Sequence, residues 1–166
     1  MCSMIDLFAD GISNIVIARV LEQCLKYDGN KYLFQSKNPG RFEELFYGIP
    51  KNSILATTIE TNRSYKEMGN VAPIALNRAI SMMRLSASIR TMVTVEPIMD
   101  FELDGLFPMI KMCNPEWVNI GADSKGHKLP EPSKEKTLAL IAELKSAGID
   151  VKLKNNLSRI IGEFPN

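Results

Sequence analysis

Short runs rich in β-branched and apolar residues each give way, along the whole chain, to a stretch of helical length with an apolar 3.6-residue period. The runs are Cys2-Ser3-Met4-Ile5, Tyr32-Leu33-Phe34-Gln35, Ile54-Leu55-Ala56-Thr57-Thr58-Ile59, Thr91-Met92-Val93-Thr94-Val95, Trp117-Val118-Asn119-Ile120 and Val151-Lys152-Leu153. Strands spaced by one helix require crossover connections, and crossovers join parallel neighbours. The expected fold is therefore α/β, a partial parallel (β/α) barrel of about six strands, TIM-barrel-like. A chain of 166 residues with no low-complexity stretch is read as one domain, 1–166.

The intervening helices carry their own punctuation. Ser13 is the expected N-cap of a helix to Tyr27, with Ile15, Val16, Val20, Leu21 and Leu25 on its inward face, and Asp28-Gly29-Asn30 ends it. Shorter helices are expected over Pro39–Tyr47, Pro73–Leu85 and Leu103–Met112. Pro132-Ser133 opens the last crossover, Leu138, Ile141 and Leu144 form its stripe, and Ala147-Gly148 closes it. Asn62 to Asn70 is one long polar connection, read as a surface loop with a lid as the alternative.

Charge narrows the partners. Twenty basic and nineteen acidic side chains give a net +1, so no general field favours nucleic acid or an anionic membrane. The apolar stretch around Ile15 to Val20 is far short of a membrane span, and the N-terminus lacks signal-peptide character, so a cytoplasmic location is expected. Three widely spaced cysteines with no CxxC imply neither a disulfide framework nor a self-contained metal or cluster site. His127 is the one histidine, and it is read as a solvated loop residue. Trp117 is read as a strand residue packed against helices.

Parallel β/α sheets place ligands at the carboxyl ends of their strands. Those ends here are Ser3 and Asp6, Gln35 to Asn38, Glu60 to Arg63, Glu96, Asp123 and Ser124, and Lys154 to Asn156. A single carboxylate at such a place is ordinarily a cap or an ion-pair partner. Converging, Asp6, Glu60, Glu96, Asp123, Lys37 and Lys154 suit a ligand with both an ammonium and a carboxylate, or a metal held by Asp6, Glu60, Glu96 and Asp123, or a salt-bridged plug.

The ordered segments Ser3-Met4-Ile5-Asp6-Leu7-Phe8, Gln35-Ser36-Lys37-Asn38-Pro39, Thr58-Ile59-Glu60-Thr61-Asn62, Val95-Glu96-Pro97-Ile98-Met99, Gly121-Ala122-Asp123-Ser124 and Lys152-Leu153-Lys154-Asn155 span nearly the whole chain. In them the chain resembles an uncharacterised phage and bacterial family related to radical SAM enzymes and, more distantly, spore photoproduct lyase-type members. The resemblance implies a partial barrel that binds S-adenosylmethionine at its strand ends beside a [4Fe-4S] cluster. Ser3 to Asp6 would meet the methionyl amino group, Lys37 its carboxylate, Glu60 and Thr61 the ribose. Glu96, Asp123 and Lys154 would line the rest of the pocket. The CxxxCxxC loop that holds the cluster in such proteins is absent from this sequence, so the cluster is not expected from this chain alone. The resulting expectations are a cluster-less or truncated member that binds S-adenosylmethionine or a related small ligand, a fragment of a longer reading frame, or a non-enzymatic binding and assembly protein. In the last case a second copy or a partner chain covers the N-terminal sheet edge.

Overall fold

Val, Ile, Thr and Leu concentrate in two segments whose side chains fit a pleated, doubly shielded surface. These become the central strands β2 (Ser53–Thr58) and β3 (Arg90–Val95), flanked by β1 (Tyr32–Gln35), β4 (Trp117–Ile120) and β5 (Asp150–Leu153). The computed structural model describes residues 5–69 and 71–163. Among them, one sheet of five parallel strands runs in the order β1-β2-β3-β4-β5. The expected first strand, Cys2 to Ile5, lies outside the described residues except for Ile5.

Each crossover shifts the chain by one strand in the same direction. Such connections are nearly always right-handed, so they deliver every crossover helix to one side of the sheet. The helices are α1 (Asn14–Lys26), α2 (Gly40–Glu44), α3 (Ala75–Leu85), α4 (Leu103–Met112), α5 (Lys134–Ser146) and α6 (Ser158–Ile161), and from α2 to α6 each packs on the next. Their inward stripes, with Phe42, Ala79, Met82, Leu106, Ile110, Leu140 and Leu144, meet Leu55, Val93, Val95, Val118 and Ile120 of the sheet in one core. Ser13 and Ser133 cap α1 and α5, accepting from Val16 N and Lys136 N as their positions predict. After α5 the chain turns at Gly148, whose φ of 78° suits glycine.

The alternate strand residues face the other way. Thr58, Thr94, Asn119 and Lys152 form one continuous rung across four strands. Gln35 donates from Nε2 to Thr94 Oγ1 at 3.3 Å, and Thr94 Oγ1 donates to Thr58 Oγ1 at 2.9 Å. Gln35 is paired with Ala56, whose small side chain lies between β1 and β3 and leaves room for that reach. Trp117 also faces this side, with the Lys152 ammonium 4.5 Å from its ring centre, so it stands outside the helix-packed core in which it was expected.

α1 departs from its sequence reading as well. Ile17 and Leu21 point inward, whereas Ile15, Val16, Val20 and Leu25 are exposed. Apolar residues at 15, 16, 17, 20, 21 and 25 wrap more than half of the helix, so periodicity alone leaves the buried side open. Packing decides it, because Leu21 seats against Gly48 in the 3₁₀ turn Phe46–Gly48.

Candidate ligand site at the strand carboxyl ends

The segment 5–13 crosses the carboxyl end of β1. It is held by Phe8, which is 1% exposed and packs edge-on against Phe42 and Phe34 with ring centres 4.5 and 5.9 Å away. The Arg41 guanidinium, buried on α2, donates to Ala9 O and Asn14 Oδ1. The segment thereby presents Asp6, which accepts Phe8 N at 2.9 Å on Oδ1, and Ser36 Oγ at 2.9 Å and Lys37 N at 3.0 Å on Oδ2. Ser3 lies outside the described residues.

Glu60 follows β2 and has a side chain 3% exposed. The Lys37 ammonium pairs with its Oε1, and Arg78 Nη2 of α3 lies 2.8 Å from its Oε2. Arg78 is itself buried and donates from Nη1 to Thr58 O at 2.6 Å. Its contact with Glu60 is close but poorly aligned, since Glu60 Oε2 and Arg78 Nε have no hydrogen-bond partner. The attraction is thus mainly Coulombic. Burial pushes the Glu60 carboxyl up, but Arg78 and Lys37 together outweigh it and hold the group below its ordinary range. Two cations on one carboxylate leave this cluster with a net positive charge.

Thr61 is buried, and its hydroxyl is spent on structure: it donates to Asp100 O at 2.7 Å and accepts Arg63 N at 3.0 Å. Next to it Asn62 Oδ1 accepts Glu102 N at 2.9 Å, with its side chain lying across the bare backbone of Gly105. Arg63 bridges Asp100 and Glu102, Tyr65 donates to Asp100 O, and Lys136 of α5 reaches the Asp100 carboxylate. The start of the long polar connection is therefore clamped to the loop after β3.

On the far side of the sheet, Glu96 Oε2 pairs with Lys154 Nζ at 2.8 Å, and the Glu96 carboxylate lies over Gly121. Asp123 turns away into its own loop. It accepts Lys125 N at 3.0 Å, His127 N, and His127 Nδ1 at 3.0 Å, and these donors hold its carboxyl below its ordinary range, the Lys125 amide first. Glu131, held by two 2.6 Å bonds from Arg159, accepts Asp123 N. The structure thus brings Asp6, Lys37 and Glu60 together around β1 and β2, and Glu96 with Lys154 around β3 to β5. It uses Asp123 and Thr61 to shape loops.

The chain matches no family model, no curated protein and no solved structure. Its own side chains are the guide to chemistry. Among the described residues no three His, Cys, Asp or Glu side chains gather in an arrangement that holds a metal, and the acids proposed as oxygen ligands are engaged separately. Cys24 lies on α1 and Cys113 at the end of α4, where burial pushes its thiol up to about 12; this pair does not fit a cluster's thiolate set. No helix among the described residues is long and apolar enough to cross a membrane.

Arg78 and Arg41 are site residues that the sequence reading missed. Arg78 carried a signal, because Ala75, Ala79, Met82 and Leu85 mark an inward stripe on which position 78 also falls. A lone arginine on such a stripe needs a buried acid.

Proposed function

We propose that this chain is a radical SAM-like partial barrel that binds S-adenosylmethionine, or a ligand carrying the same amino-acid group, at its strand carboxyl ends. The observation that carries this is the Lys37–Glu60–Arg78 cluster beside Asp6. The Lys37 side chain is 47% exposed and offers an ammonium to a ligand carboxylate, while the Asp6 carboxylate beside it suits a ligand ammonium. Barrel curvature is supported by the sequential strand order with helices on one side, which leaves a polar face free to line a lumen. S-adenosylmethionine would supply an electrophilic sulfonium; the chain's own residues bind and orient it.

Calorimetric titration with S-adenosylmethionine tests the reading. Measurable binding is expected, weakened about tenfold in Lys37→Gln, which removes one charge-assisted hydrogen bond. No heat at millimolar ligand, or equal affinity in the variant, would reject it.

A second reading, a scaffold that assembles through α1, is favoured by that helix's outer face. Val16, Val20 and Tyr27 are exposed and, with Tyr32, line a shallow, open depression. An antiparallel second copy of α1 would set Val16 against Tyr27 and Val20 against Gln23, all on this one face of the helix. Light scattering should then give a dimer that Val20→Glu converts to a monomer; a monomeric parent sinks this reading.

A further inference from the structure

The two edges of the sheet are built differently. β5 carries Asp150 and Lys152, charges that discourage a further strand from pairing there. β1 is Tyr-Leu-Phe-Gln, with neither a charge nor a proline. Ser36 N donates to Ala56 O across the β1–β2 ladder, so by the alternation of parallel strands Leu33 and Gln35 turn their amides to the outer side, where β1 has no neighbour among the described residues. The same edge adjoins apolar surface. Val16, Val20 and Cys24 of α1 line one open depression with Tyr32 of β1, whose hydroxyl donates to Cys24 O at 2.9 Å. Bare amides beside apolar surface fit an extended, apolar segment.

The chain itself supplies one. Asp6 stands at the top of this edge, with Oδ2 accepting Ser36 Oγ and Lys37 N. In an extended conformation the four residues before it cover about 13 Å, the length of four-residue β1, and run the same way as β1. Their facing follows from two neighbours: Asp6 meets Ser36, which is buried on the helix side as Phe34 is, and Ile5 is 64% exposed. Alternation then turns Ser3 and Ile5 away from α1 and turns Cys2 and Met4 toward it, with Cys2 level with Tyr32. α1 is then the crossover between this strand and β1, the pattern that the later units follow. We infer that Cys2 to Met4, which lie outside the described residues, seat in this groove as a sixth parallel strand, and that Cys2 and Cys24 form a thiol pair across it that a small disulfide such as oxidised glutathione closes. One protein thiolate attacks the small disulfide and releases a reduced glutathione; the other attacks the protein sulfur of the mixed disulfide and releases the second. The protein gives up two protons and two electrons, and glutathione disulfide takes both. Closure locks the segment that presents Asp6. The inference does not depend on S-adenosylmethionine, and its occupant competes for Val16 and Val20 with the second copy considered above.

The test equilibrates the full chain in glutathione redox buffers, natively and in denaturant, and maps its disulfides by peptide mass spectrometry. A flexible tether gives an effective concentration on the millimolar scale, and the native Cys2–Cys24 pair should exceed its own denatured value by at least about tenfold. Hydrogen exchange on the reduced protein should show the Leu33 and Gln35 amides protected in the monomer. Met4→Asp, which sets a charge against α1, should expose both amides and bring the effective concentration down to the denatured value, while a thermal melt and the protection of Val93 confirm that the rest folds. Cys2→Ser should abolish the disulfide and keep the amides protected, which separates the strand from the thiol pair. Equal effective concentrations in the two states, a native disulfide to Cys113 instead, or unprotected Leu33 and Gln35 amides overturns the inference. Protection that appears only as the chain dimerises overturns it too, and gives the groove to a second copy.

Discussion

Arg78→Met should lower the stability of this chain by about 3–5 kcal/mol, the cost of leaving a buried charge without its main partner. At roughly 2–4 °C per kcal/mol for a chain of this size, the melting temperature should fall by about 6–20 °C. Methionine fills comparable volume, so the loss isolates charge from packing. The Glu60 carboxylate stays buried with Lys37 alone, and Thr58 O loses its donor. The dependence on pH follows from the depressed Glu60 carboxyl. Its stabilising contribution is complete above the ordinary glutamate value near 4.5 and is lost as pH falls through the lower folded value. Melting temperatures of parent and variant should therefore differ most near neutrality and converge in acid. A companion variant, Glu60→Leu with Arg78→Met, should recover much of the loss, because removing both members leaves neither charge stranded. If Arg78→Met melts with the parent, or the double variant is worse than the single, the pair is not what holds this corner.

Phe8→Ala should cost a similar amount, about 3–5 kcal/mol, by opening a cavity among Phe8, Phe34 and Phe42. Its consequence reaches the site. Phe8 is the apolar anchor of segment 5–13, and Asp6 holds the Lys37 and Phe8 amides only while that segment is seated. Hydrogen exchange should show both amides losing protection in Phe8→Ala, while Val93 and Val118 in the sheet keep theirs relative to the lowered global stability. Phe8→Leu, which fills most of the volume, should restore both. Unchanged protection at Lys37 would mean that Asp6 is positioned by something other than the aromatic anchor.

Strand placement was legible because the alternation of β-rich runs and helical stripes is dictated by backbone geometry, and five of the six expected runs became strands at nearly the expected residues. The inward side of α1 was not, since its apolar residues encircle the helix and only Leu21 meeting Gly48 selects a face. The strand-end residues were legible as a set, but their division was hidden. Asp123 looks in sequence like Glu60 and Glu96, yet the amides of Lys125 and His127 and the His127 ring curl around it and take it into its own loop. Arg78 is distant in sequence from every residue it serves. Its meaning emerges only when α3 lies across the end of β2 and sets a guanidinium against Glu60.

The clamp of Thr61, Asn62, Arg63 and Tyr65 on Asp100 and Glu102, with Lys136 behind, joins the exits of β2 and β3 to the start of α5. Three separate connections are thereby tied into a single collar. For the ligand proposed above, capture at that corner should then be a plain bimolecular encounter whose observed rate rises in proportion to concentration without reaching a plateau.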